Sequence, residues 1–64
     1  MELTIRDKEK LRGIVASVSK NRDNIIELSL IERDKEVKGR LGASIDQLDD
    51  AMTNLTIIIN QIRG

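Results

Sequence analysis

The chain has no cysteine, no histidine, no proline and no aromatic residue. Each absence closes a route that small proteins commonly take. Without cysteine there is neither a disulfide nor a thiolate metal site, and without histidine only carboxylates remain as metal ligands. Without Phe, Tyr or Trp, a core lacks the side chains that bury the most area each. Sixty-four residues make one small domain, and chains of this length bury only about 60% of the surface their unfolded form exposes. Such folds need a staple: a disulfide, a metal or a partner chain. Elimination leaves the partner chain.

Excess charge of either sign is also missing. Eleven basic and eleven acidic residues cancel, whereas nucleic-acid modules draw most of their affinity from a basic surplus. No run approaches the roughly 18 apolar residues of a membrane span. The opening Met1-Glu2-Leu3-Thr4-Ile5-Arg6-Asp7-Lys8 has no apolar segment of the secretory kind. A cytoplasmic chain with no membrane role is the expectation.

What is present is aliphatic: ten Ile, seven Leu, three Val, three Ala and two Met. The clearest periodicity lies near the C-terminus, where Ile45, Leu48, Met52, Leu55, Ile59 and Ile62 alternate three and four apart. That is the heptad seam of a helix packing on helices, and Leu41 extends it backwards. A strand over Leu55–Asn60, suggested by its β-branched residues, is outweighed by this repeat. Upstream, Leu11, Ile14, Val15 and Val18 form one helical face, with Thr4 placed to cap it. Ile26, Leu30, Val37 and Leu41 form another, rotated by roughly a quarter to a third of a turn.

Gly39 and Gly42, followed by Ser44-Ile45-Asp46-Gln47, read as a helix end, a turn and a capping-box start. Asp46, Asp49 and Asp50 would then complement the dipole of the new helix. These features predict an all-α helical hairpin: a long helix over about 5–39, a short one over about 45–63, and self-association into a bundle. The alternative is a three-helix unit, about 5–20, 25–39 and 45–63, with a turn at 21–24 where Asn21-Arg22-Asp23-Asn24 is rich in turn formers.

Catalysis calls for a nucleophile with a base, a metal site or a tuned carboxylate pair. The nearest approaches are Ser17 with Lys20, a spacing common by chance, and the three aspartates, which make a weak cation site at best. Gly39-Arg40-Leu41-Gly42 lacks the features of a phosphate loop. The expectation is a chain that is not an enzyme and takes no cofactor or metal. Read as a helix-turn-helix with its turn over Gly39–Ser44, the chain would present a recognition helix starting Ser44-Ile45-Asp46-Gln47-Leu48-Asp49-Asp50 and bring three acids to DNA phosphates, the wrong sign.

A non-enzymatic helical interaction protein follows, a regulator, inhibitor or adaptor that associates with itself as dimer or tetramer and with another protein. The expected self-association surface is Ile45, Leu48, Met52, Leu55, Ile59 and Ile62, faced by Leu28 and Ile31. Ile58, which broadens this stripe, and Ile57, on the far side of the helix, are the candidate partner site. Two further readings stand behind it. One is a small nucleic-acid-binding regulator contacting phosphates through Arg6, Lys8, Lys10 and Arg12 or through Lys35, Lys38 and Arg40. The other is a purely structural oligomerisation segment.

Overall fold

The computed structural model describes residues 1–63, and over them the chain is two helices packed side by side: α1, Ile5–Ile31, and α2, Lys35–Gln61, of 27 residues each. The unit measures 47 × 15 × 12 Å, close to the roughly 40 Å length of a 27-residue helix plus its ends. The all-α hairpin expected from the sequence is what forms, but its turn lies elsewhere.

Helix α1 starts as the sequence suggests. Thr4 has extended backbone and its hydroxyl accepts from the Asp7 N–H at 3.4 Å, while the Asp7 carboxylate accepts from the Thr4 N–H at 2.8 Å. Two otherwise orphaned donors are satisfied reciprocally. The helix then runs unbroken through residues 21–24, which excludes the three-helix alternative. Asn and Asp in a helix interior cost only tenths of a kcal/mol each, and packing on α2 outweighs that.

The predicted long helix to residue 39 is corrected by a break at Glu32-Arg33-Asp34. Asp34 caps α2, its carboxylate accepting from the N–H groups of Glu36 at 2.9 Å and Val37 at 3.1 Å. Glu32 closes the connection by accepting from the N–H groups of Arg33 and Asp34 at 2.9 and 3.0 Å. These bonds favour the charged form of the Glu32 carboxylate and hold its pKa below the ordinary value, the Asp34 N–H first and Arg33 second.

The predicted turn at the glycines is therefore also corrected, and so is a second helix beginning near residue 45. Gly39, Gly42 and Ser44 all lie inside α2, and Ser44 donates its hydroxyl to the Arg40 carbonyl at 3.1 Å instead of capping. Asp46, Asp49 and Asp50 sit in mid-helix, so dipole complementation does not account for them. A Cβ at Gly39 or Gly42 meets nothing within 4 Å. Gly39→Ala and Gly42→Ala are accordingly expected to stabilise the protein by about 0.5–1 kcal/mol each, since alanine loses less backbone entropy in a helix. Urea unfolding followed by circular dichroism measures this, and a loss of stability in both variants would return the turn to the glycines.

Candidate interaction surface

Two contacts between the helices fix their register. Arg22 forms an ion pair with Asp49, and the Lys8 ammonium donates to the Ile62 carbonyl at 3.4 Å. Moving from Lys8 to Arg22 along α1 corresponds to moving back from Ile62 to Asp49 along α2, so the helices are antiparallel. Lys8 also supplies a cation to the C-terminal end of α2, whose own last turn holds no basic residue.

That register sets Leu11 level with Ile59, Val15 with Leu55, Val18 with Met52, Arg22 with Leu48, Ile25 with Ile45 and Ser29 with Leu41. All of these are half-buried except Ile59, which is buried. Both helices therefore carry a heptad seam, on α1 through 8, 11, 15, 18, 22, 25 and 29. The α2 half of this seam is the one that the sequence shows directly. The α1 half is hidden there because Lys8, Arg22 and Ser29 interrupt it. Along the seam the apolar layers concentrate at the open end, and the two most buried side chains, Ile62 at 4% exposure and Ile59 at 8%, both lie there.

Ile45, Leu48, Met52, Leu55, Ile59 and Ile62, expected at contacts between chains, are brought together here against α1 of the same chain. Leu28 and Ile31 are not part of that layer. They lie outside the seam near the turn, 52% and 76% exposed. Ile57 is exposed on the outer side of α2 and Ile58 is half-buried at the edge of the seam. Lys8, Arg22, Ile25 and Ser29 are the seam residues that sequence reasoning missed; seven-residue steps from Leu11 and Val15 were the available signal.

Among the described residues, three arginines form ion pairs. Arg12 pairs with Glu9 at 2.5 Å and Arg40 with Glu36 at 3.3 Å, both on exposed surface, where such pairs add little stability. Arg22 differs. Its Nε is shut from water and faces Asp49 without the alignment of a hydrogen bond. The backbone N–H of Thr4, and then its hydroxyl, hold the Asp7 carboxyl below its usual pKa. Among the described residues no three Asp or Glu side chains converge as a metal site would require. No described helix is long and apolar enough to cross a membrane. The concavities are open: one lies at the free end between Leu3 and Ile62, and one runs beside the seam along Val15, Met52, Thr53 and Thr56.

Large apolar side chains remain on the outside at both ends: Met1, Leu3 and Ile5 with the open end, and Leu28, Leu30, Ile31 and Val37 around the turn. No family model, curated protein or solved structure matches this chain.

Proposed function

We propose that this is a non-enzymatic helical interaction module, one that associates with copies of itself and regulates or adapts a protein partner through the helix surface left over. The observation that carries the reading is area. A compact monomer of 7.2 kDa would expose about 4,100 Å², whereas the hairpin exposes 5107 Å². The surplus of about 1,000 Å² is close to what one partner loses in a standard protein interface, roughly 800 Å². Among the described residues only two side chains are buried, too few to stabilise a chain of this length alone.

The experiment is native mass across a concentration series, by light scattering with refractive-index detection because the chain lacks absorbing aromatics. The expected result is a helical multimer that dissociates on dilution together with its helicity. A folded monomer at every concentration would overturn self-association. The regulatory part of the proposal is tested by pull-downs: a protein partner retained by the wild-type multimer is expected to be lost by Ile57→Glu, on the exposed outer side of α2, with helicity and native mass unchanged.

A further inference from the structure

The two flanks of the hairpin differ in charge. On one flank lie the residues just before the seam positions Val15, Arg22 and Ser29 of α1 and Ile45, Met52 and Ile59 of α2, and those three residues further on. In α1 these are Ile14, Ser17, Asn21, Asn24, Leu28 and Ile31; in α2 they are Ser44, Gln47, Ala51, Asn54, Ile58 and Gln61. None of these twelve is charged, in a chain where 34% of residues are; the same positions nearer the two ends hold Asp7, Lys10 and Arg40. The other flank carries Glu9, Arg12, Asp23, Asp46, Asp49 and Arg63, and it holds the Arg22–Asp49 pair.

The geometry points to the uncharged flank as the face on which a second copy of this chain packs, giving an antiparallel four-helix bundle; this rests on the self-association proposed above. An apolar and amide surface free of charge desolvates cheaply, as the core of an interface requires. The small Asn21–Ala51 layer sits at its middle, with the Ile14–Ile58 layer seven residues toward the open end and the Leu28–Ser44 layer seven toward the turn. A two-fold axis through the middle layer brings exposed Leu28 of one copy onto Ile14 and Ile58 of the other. A parallel pairing would instead set Leu28 beside Leu28 and leave Ile14 and Ile58 to their own copies. The surplus of about 1,000 Å² is close to what one interface of standard size, roughly 800 Å² per partner, takes from each chain.

Charging the flank tests this. Ser17 and Asn54 are exposed in the hairpin, and glutamate is a good helix former, so S17E/N54E leaves the hairpin itself unstrained. The expected result is that S17E/N54E lowers the native mass to the single chain's 7.2 kDa, while T53E/T56E, on the other flank, keeps the wild-type mass. A second measurement uses the absence of native cysteine. Asn21→Cys is expected to form a disulfide-linked dimer under mild oxidation, and Leu28→Cys to link to Ile58→Cys but not to itself. A multimeric S17E/N54E variant, or dissociation by T53E/T56E instead, overturns the assignment of the face and leaves self-association standing. A wild-type protein that is monomeric throughout overturns both.

Discussion

Replacing Leu55 with aspartate is expected to unfold the protein, abolishing most helical circular dichroism at 25 °C and leaving a monomer by light scattering. Leu55 faces Val15 in a layer that is apolar on both helices and half-buried. Leucine-to-alanine truncation in a core costs about 2–5 kcal/mol, and a half-buried position falls at the low end of that range. Aspartate adds the desolvation of a carboxylate with no counter-charge. Domains have only about 0.05–0.15 kcal/mol of stability per residue, so this chain has little to lose. Leu48→Asp, one heptad step away, is expected to be milder. That position is level with Arg22, whose guanidinium faces α2 beside Asp49 and would pair with the new carboxylate. Unchanged helicity and mass in Leu55→Asp would remove the 45–62 repeat from the seam. A Leu48→Asp variant less stable than Leu55→Asp would refute the register.

The difference between those two variants reflects how unevenly the seam was legible. The α2 repeat is six uninterrupted aliphatic positions and could be read directly. On α1, Lys8, Arg22 and Ser29 occupy seam positions, so the stripe reads as shifting to a second face of Ile26, Leu30, Val37 and Leu41, whereas the structure continues it through Ile25 and leaves Leu30 and Val37 exposed. The turn was misplaced for a related reason. Gly39 and Gly42 are the strongest helix terminators in the chain, yet they sit within α2, and the connection is made of Glu32, Arg33 and Asp34, which carry no Gly or Pro signal.

One physical argument could have located it. A turn at 39–44 pairs the C-terminal repeat with residues of the second half of a long helix and leaves Leu11, Val15 and Val18 uncovered. A turn near 33 makes two equal helices and covers them. Asp34, two and three residues before the N–H groups that it accepts, is the local mark of that choice. The cost of two helical glycines, about 1 kcal/mol each at most, is smaller than the gain from covering three aliphatic side chains at roughly 0.8 kcal/mol per buried CH₂.

Arg22 is the seam residue whose replacement has the largest expected stabilising effect. A charged group in a half-buried layer is desolvated without full repayment, and exchange of such groups for apolar ones is often neutral or stabilising. Arg22→Leu would complete an aliphatic run from Leu11 through Ile25 and release Asp49, whose side chain is 44% exposed, to water at little cost. The expected gain is about 1–2 kcal/mol, which for a domain of this size raises Tm by about 4–16 °C in a thermal melt followed by circular dichroism. Specificity moves the other way. A polar residue at one seam position restricts register and oligomer order because any shifted pairing strands it against aliphatic side chains. With leucine there, the layers from Leu11 to Ile25 become interchangeable, and native mass is expected to spread toward higher or mixed multimers while Tm rises. A lower Tm in Arg22→Leu would mean that the Arg22–Asp49 pair stabilises the hairpin outright. A higher Tm with a single unchanged mass would mean that register is held elsewhere, with the Lys8–Ile62 contact at the open end the next position to replace.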